Sequence, residues 1–265
     1  MRSREPLPLD IRLMNGLATA LFGVLALLLL GAALAWAMRL PLFAIRGVTV
    51  VGDVAHYNAL TLKANVMPRL QGTFFTLDVN DTRNVFEAMP WVRQAVVRRD
   101  FPNRIKVQLQ EHQAVAYWGA DGDSRLVNSF GEVFEANLGE LEQDNLPRLS
   151  GPEGQSAQVL AMHRTLAPLL TPMDLTLEQL ELTPRGGWRA QLDTSTSLEL
   201  GSGNTPELVA RLERFLKTVT QVTARYNRKV EQLASVDLRH TDGYAIRLDG
   251  VTTVNGDDVK NGKAR

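Results

Sequence analysis

Hydrophobic residues are concentrated in one stretch near the N-terminus. No charged residue occurs between positions 13 and 38, and the most apolar part is 17–38. A helix of that length extends about 33 Å at about 1.5 Å per residue, enough to cross a hydrocarbon core of about 30 Å. Arg12 and Arg39 flank the stretch, and Trp36 lies where an interfacial aromatic residue is expected. We therefore predict a transmembrane helix over residues 17–38.

Two other interpretations of the stretch stay open. Ala35, Trp36 and Ala37 resemble a signal-peptidase cleavage site, but the apolar run exceeds the roughly 7–15 residues of a signal h-region. A core helix of a soluble protein would be unusual at a terminus and apolar on all sides. The arginine-containing tail at 1–16 and the long polar region after the span favour a cytoplasmic N-terminus, with the rest of the chain outside the cytoplasm.

Residues 43–112 show the periodicities of a small mixed domain. β-branched runs and strict alternation indicate strands, and apolar positions three or four apart indicate helices. Asn80 or Asp81 is a suitable N-cap for the second helix. The predicted order is strand, helix, helix, strand, strand, at residues 43–52, 56–67, 80–89, 91–99 and 105–110.

Residues 113–250 have the pattern of a second domain, which makes the whole chain α+β. Thr205 is a candidate N-cap for the clearest helix of this region. The other predicted elements are a hairpin at 125–134, a loop at 146–152, a helix at 155–170 and strands near 175–182, 188–192, 198–200, 233–239 and 244–248. The polar, glycine-containing residues 251–265 are predicted to be a flexible tail.

The charge balance and the composition exclude several classes of function. The chain has 29 basic and 29 acidic residues, so it lacks the basic surplus that nucleic-acid binding requires. A hydrophobic fraction of 45% is ordinary for a folded protein. The chain has no cysteine, which excludes thiolate metal sites, thiol nucleophiles and disulfides.

No catalytic motif is recognisable. The four histidines, His56, His112, His163 and His240, show no metal-ligand spacing, and no Gly-x-Ser-x-Gly sequence occurs. Glu111 and His112 are adjacent, but they lie at the polar end of a predicted strand. We therefore expect no catalytic residue, no metal and no cofactor, although active-site residues need not be close in sequence.

Five segments carry recognisable motifs, at residues 91–111, 114–118, 126–134, 146–152 and 236–245. They include a tryptophan before an alternating strand, an Arg…Pro turn, an Ala-x-Trp sequence, a Gly-x-Val-Phe hairpin and a Leu-Pro-x-Leu-x-Gly-Pro loop. In this order the segments resemble the FtsQ/DivIB family of bacterial cell division proteins. The resemblance extends from the anchor to about residue 248.

This resemblance implies a fold and a role. Residues 43–112 would be a POTRA domain, a small module that receives polypeptide partners, and residues 113–250 would be the FtsQ-type β domain. The protein would be a scaffold in the inner membrane at the division septum, with its N-terminus in the cytoplasm. It would bind FtsB and FtsL, would contact other division proteins through the POTRA domain, and would help to control septal wall synthesis.

The resemblance also implies a binding site at the C-terminal strand. In the family, FtsB adds a strand to this sheet edge, where unpaired backbone groups accept a partner. Arg185 and Arg239 match arginines that meet acidic residues of FtsB, while His240 and Leu248 stand where relatives carry aromatic residues. The implied partner-binding residues are Arg185, Arg239, His240, Gly243, Tyr244, Ile246 and Leu248.

Two alternative functions compete with the scaffold. A secretion or envelope-assembly factor could also carry a POTRA domain, but it predicts tandem POTRA domains or a C-terminal barrel. A membrane-anchored wall enzyme would require polar side chains that converge in a deep pocket.

Overall fold

The computed structural model of this 265-residue chain describes residues 9–52, 54–57, 62, 64, 66–70, 72–141 and 145–251. The chain divides into two compact units, Met1–Glu111 and His112–Arg265, called unit 1 and unit 2 below. The described residues form a three-stranded sheet in unit 1 and a nine-stranded sheet in unit 2. The predicted α+β class is confirmed.

Unit 1 begins with a long apolar helix, α1 (Leu9–Met38), which starts earlier than the predicted span at residue 17. Its segment Leu13–Met38 is long and apolar enough to cross a membrane, and none of it is buried inside the protein. An exposed apolar surface of this length is costly in water, so a lipid environment is the natural explanation.

The sheet of unit 1 contains β1 (Gly47–Gly52), β2 (Val92–Asp100) and β3 (Arg104–Glu111) in the order β1-β3-β2. β1 is parallel to β3, and β2 is antiparallel to it. Exposed and buried residues alternate along all of β3, so one face of the sheet is buried, as the sequence predicted.

Two helical segments that follow β1 along the chain cover the buried face of this sheet. α2 (Val79–Glu87) inserts Phe86, and a second helical segment contributes Leu62 and Val66. The described positions 62, 64 and 66 are helical as predicted, but His56 lies outside the helix, and positions 58–61, 63 and 65 are outside the described residues. The predicted N-cap of α2 was wrong. Asp78 caps this helix by accepting hydrogen bonds from the backbone amides of Asn80 and Asp81.

Glu111, the last residue of β3, is bound inside unit 1. Its side chain is 5% exposed, and Oε2 accepts hydrogen bonds from the amides of Ala55 and His56, both at 3.1 Å. His56 Nδ1 lies 2.9 Å from the same oxygen, and the imidazole stacks on the buried Trp91 ring at 3.8 Å. The carboxylate therefore fastens the loop after β1 to the end of the sheet.

Unit 2 is built on its nine-stranded sheet, of order β12-β11-β10-β9-β8-β7-β4-β5-β6. Parallel pairs occur at β10–β11, β4–β7 and β7–β8, and the other neighbours are antiparallel. The strands are β4 (Ala114–Trp118), β5 (Arg125–Asn128), β6 (Val133–Glu135), β7 (Arg148–Ser150), β8 (Leu177–Leu182), β9 (Trp188–Leu192), β10 (Ser197–Gly201), β11 (Leu233–Asp237) and β12 (Ala245–Leu248).

Two helices, α3 (Ser156–Leu170) and α4 (Thr205–Arg225), contact each other and the sheet. The N-cap of α4 is Asn204 rather than the predicted Thr205, since Asn204 and Glu207 form a reciprocal capping box. The buried stripe of α4 supplies the core of unit 2 with Leu208, Leu212, Phe215 and Val219. Each such side chain stabilises the fold by about 1.5–3 kcal/mol.

A second prediction for unit 2 was also wrong, and a third lies largely outside the described residues. The segment 146–152, predicted as a loop, contains β7, which pairs with β4 and β8. The hairpin at 125–134 is present as β5 and β6. Of the predicted tail at 251–265, only Val251 is among the described residues.

Candidate partner-binding edge of unit 2

The C-terminal strand β12 lies at one edge of the nine-stranded sheet. Among the described residues its only strand neighbour is β11, to which it is antiparallel. An edge strand directs alternate N–H and C=O groups away from the sheet, where another chain can pair with them. The geometry of this edge therefore permits strand addition.

Tyr244, just before β12, is held against α4. Its ring meets the Phe215 ring edge-on, with the centroids 5.2 Å apart and the planes at 87°. Its hydroxyl lies 2.7 Å from Thr218 Oγ1, within hydrogen-bonding distance. The ring is half-buried, so it presents a fixed, partly apolar surface next to the strand edge.

The side chains of β12 alternate between two faces. Leu248 pairs with Leu233 and is 6% exposed, so its side chain belongs to the core and not to the surface. Ile246 lies on the same side and is half-buried against the core. Ala245 and Arg247 are exposed. The apolar side of β12 is thus largely used by unit 2 itself, because residues two apart share a face.

Arg239 follows β11 and forms a two-pronged ion pair with Asp237. Nε donates to Oδ1 at 2.9 Å, Nη2 donates to Oδ2 at 2.6 Å, and the Arg239 amide donates to Oδ1 at 3.0 Å. The hydrogen bond from Arg239 lowers the pKa of Asp237 from its ordinary value of 3.8 to about 2. The Arg239 side chain is still 60% exposed, and a guanidinium has five N–H donors, so it can bind a second carboxylate.

Gly201, at the end of β10, makes room for Arg239. A Cβ atom on Gly201 would lie 2.8 Å from Arg239 Cγ, and the φ of +79° favours glycine in any case. The aliphatic part of Arg239 therefore lies across the end of the neighbouring strand, which fixes the direction of the guanidinium.

Arg185 lies at the same end of the sheet but not beside β12. It is exposed in the turn between β8 and β9, which is closed by a hydrogen bond from the Thr183 amide to Gly187 O at 2.8 Å. The register pairs Gly201 with Trp188, at the β9 end of that turn. β9 and β12 are three strand spacings apart, or about 15 Å. The two predicted arginines are therefore separated, and one partner reaches both only by crossing this end of the sheet.

The loop between β11 and β12 carries the remaining predicted residues. His240 is exposed, and a Cβ atom on Gly243 would meet nothing within 4 Å. Arg214 of α4 donates from Nη1 to Thr241 O at 2.6 Å, which ties the loop to the helix.

Four residues that shape this edge are not among the predicted site residues. Asp237 could have been found, since residues two apart on a strand share a face and Asp237 precedes Arg239 by two. The sequence had no signal for the others, because they act from distant elements. These others are Gly201, Arg214 and Thr218.

The described part of the chain has an open groove and no cluster of potential metal ligands. Within it, no three His, Asp or Glu side chains lie close enough to hold a metal ion. A groove of about 710 Å³ lies over β8 to β10 and is open to solvent. Among its charged groups, Arg189 pairs with Glu199 at 2.9 Å and Arg148 pairs with Asp121 at 2.8 Å.

Two known family models match this chain, one in each unit. The family model "POTRA domain, FtsQ-type" matches residues 43–112, and the model "Cell division protein FtsQ/DivIB, C-terminal" matches residues 116–239. β12 follows the second match.

Whole-chain relatives carry the name "Cell division protein FtsQ". The protein of Thiomonas arsenitoxydans is 42% identical over 249 residues, which cover 92% of this chain and 90% of the relative. That of Burkholderia pseudomallei is 39% identical over 250 residues, covering 94% and 97%. That of Bordetella pertussis is 32% identical over 258 residues, covering 90% and 92%. With an apolar N-terminal helix, a POTRA domain and these relatives, the chain belongs to the FtsQ/DivIB family of cell division proteins.

Proposed function

We propose that the protein is a non-catalytic scaffold of the division machinery that binds FtsB and FtsL through the β12 edge of unit 2. In this role α1 anchors the protein in the inner membrane at the septum, with the N-terminus in the cytoplasm and both units in the periplasm. The POTRA domain contacts further division proteins, and the assembled complex regulates septal wall synthesis. The observation that carries the proposal is the position of β12 at the sheet edge.

Backbone hydrogen bonds join the partner strand to β12 in such a complex. Each new hydrogen bond adds only about 0.5–1.5 kcal/mol net, so a strand of four residues needs side-chain contacts for affinity and register. Tyr244 offers a rigid aromatic surface next to the edge, held by Phe215 and Thr218. Ile246 and Leu248 contribute mainly by keeping β12 flat against the core.

Arg239 supplies the charge that selects an acidic partner. Asp237 holds the guanidinium in place and leaves it 60% exposed, so little side-chain entropy is lost when a partner carboxylate binds. The partner carboxylate adds to or replaces Asp237, and either arrangement gives a charge-assisted hydrogen bond with defined direction. Arg185, about 15 Å from β12, contacts a different part of the partner, beyond the added strand.

Binding to the periplasmic segment of FtsB from the same organism tests the proposal. Full-length protein in nanodiscs is compared with Arg239→Glu and Tyr244→Asp variants whose circular dichroism is unchanged. Arg225→Glu, an exposed arginine of α4, and Val133→Asp, on the opposite edge strand β6, are the matched controls. We expect the first two variants to lose binding and both controls to keep it.

Hydrogen exchange locates the contact independently of any mutation. Addition of the FtsB segment should slow amide exchange in Ala245–Leu248 and leave Val133–Glu135 unchanged. Equal protection of both edges would refute the assignment to β12. Binding by all four variants would also move the site elsewhere, and no binding with either FtsB alone or FtsB plus FtsL would refute the proposed partner.

A further inference from the structure

A chain of aromatic rings lies at one end of unit 1. The Phe43 and Phe75 ring centroids are 4.9 Å apart, those of Phe75 and Phe74 are 5.2 Å apart, and those of Phe74 and Phe101 are 6.0 Å apart. Leu42 directly precedes Phe43 in the chain, and we call these five residues the aromatic tip.

Much of the aromatic tip faces solvent instead of the core. Leu42 is 70% exposed, Phe75 is 44% exposed and Phe101 is 74% exposed, while Phe74 is buried beneath them. Isolated exposed apolar residues are ordinary, but a contiguous group contributed by three separate segments marks a surface that another apolar phase covers.

The aromatic tip is fixed to the end of the membrane helix. Thr73 Oγ1 donates a hydrogen bond to Met38 O, the last residue of α1, at 2.8 Å. The next residue, Phe74, donates from its amide to Phe43 O at 2.8 Å, and Thr73 forms a β-bridge with Ala44. The position of the aromatic tip relative to α1 is therefore set by the fold of unit 1.

Exposed arginines surround this end of the unit. Arg39 follows α1 directly, Arg46 precedes β1, and Arg104 lies over Gly47 at the start of β1. The Arg46 amide donates to Asn103 O at 3.0 Å, which joins the first strand to the turn that carries Phe101. Aromatic rings combined with arginines are typical of surfaces that lie among lipid headgroups.

The short segment between α1 and Leu42 indicates what covers the aromatic tip. Leu42 follows the end of α1 by only four residues, which span at most about 14 Å. The headgroup region on each side of a bilayer is several Å thick, so the aromatic tip cannot move far from it. We propose that Leu42, Phe75 and Phe101 insert into the headgroup layer and, with the arginines binding lipid phosphates, hold unit 1 against the membrane. The inference requires α1 to cross the bilayer, but it depends neither on its orientation nor on the β12 site.

Site-specific labelling of the full-length protein tests this contact. The chain has no cysteine, so Asp100→Cys and Gln94→Cys each accept one environment-sensitive NBD fluorophore. Both positions are exposed on β2, but Asp100 is next to Phe101, and Gln94 lies about 20 Å further along the strand. The proteins are inserted into vesicles of phosphatidylcholine with or without phosphatidylglycerol, and carbonate washing removes protein that has not inserted.

We expect lipids that carry a quencher near the headgroup to reduce the emission at position 100 about twofold and to leave position 94 unchanged. Combining Asp100→Cys with Leu42→Ser, Phe75→Ser and Phe101→Ser should abolish the quenching while circular dichroism stays the same. Combining it with Arg46→Gln and Arg104→Gln should reduce the quenching only in vesicles with phosphatidylglycerol.

Three results would overturn the inference. Equal quenching at positions 94 and 100 would mean that the aromatic tip is not the contacting surface. Unchanged quenching in the serine variant would mean that its apolar groups do not insert. Quenching by these lipids that falls as the protein-to-lipid ratio rises would identify a second copy of the chain, and not lipid, as the cover.

Discussion

Two carboxylates of this protein are bound in opposite ways. Glu111 in unit 1 is 5% exposed and has one oxygen bound to two backbone amides and to His56. Asp237 in unit 2 lies at the surface and is bound to Arg239, which is 60% exposed. The buried carboxylate is committed to the fold, because one of its oxygens already accepts hydrogen bonds from two backbone amides. The exposed one positions a cation that can still bind a partner.

The largest effect is expected when the buried carboxylate is removed. Glu111→Ala leaves the Ala55 and His56 amides without their acceptor, so unit 1 should lose about 2–4 kcal/mol of stability. Hydrogen exchange of the β3 amides in detergent micelles measures the loss.

Glu111→Gln is the matched control for that change. It keeps one carbonyl oxygen for the two amides and should cost less than half as much as alanine. If the alanine and glutamine variants are equally stable, the hydrogen bonds to Glu111 do not hold the loop after β1. The contrast between the two carboxylates then fails.

The next effect concerns binding at the exposed pair. Arg239→Gln removes the charge and should weaken FtsB binding about 10–100-fold, because charge-assisted hydrogen bonds are stronger than those between neutral groups. Asp237→Asn keeps the guanidinium and should change the affinity less than about threefold. Surface plasmon resonance measures both. A loss from Asp237→Asn as large as that from Arg239→Gln would mean that the position of the guanidinium, and not its charge alone, decides the affinity.

A smaller effect is expected from a variant that displaces Arg239 and keeps its charge. Gly201→Ala forces a side chain into a φ of +79° and against Arg239, so unit 2 should lose about 1–2 kcal/mol. Gly186→Ala has nearly the same φ, +78°, with open space around the new methyl group.

The two glycine variants should therefore differ in FtsB binding more than in thermal stability. Backbone strain is common to both, and only Gly201→Ala displaces Arg239. Equal binding would show that the position of Arg239 over β10 is unimportant for recognition.

Sequence periodicity was sufficient to predict most of the fold. The alternation of Ile105, Val107 and Leu109 with polar residues predicts β3, and the apolar stripe of α4 predicts that helix. Both patterns follow directly from which face is buried. β7 was missed because three residues between a proline and a glycine resemble a loop, and only pairing with β4 and β8 makes them a strand.

Sequence motifs were less reliable where several neighbouring residues could fill the same structural position, such as a helix N-cap. Asp78, Asn80 and Asp81 are all good caps, and the choice of Asp78 depends on where the helix axis begins. The family resemblance implied that Arg185 and Arg239 belong to one binding site. No sequence pattern gives the strand order that separates them. The burial of Leu248 depends on its register with Leu233, which is likewise set by the sheet.

The smallest effect is the titration of the exposed carboxylate, and it is the most direct test of the pair. Arg239 favours the charged form of Asp237, whose pKa is about 2 in the folded protein against an ordinary 3.8. The stabilisation from this pair is therefore complete above pH 3.8 and is lost as the pH falls through 2. Carboxyl-detected NMR should show a midpoint near pH 2 for Asp237, and Arg239→Gln should move it up toward 3.8. A midpoint near 3.8 in the unmodified protein would mean that the guanidinium points to solvent, so that the partner would have to order it, and affinity would fall accordingly.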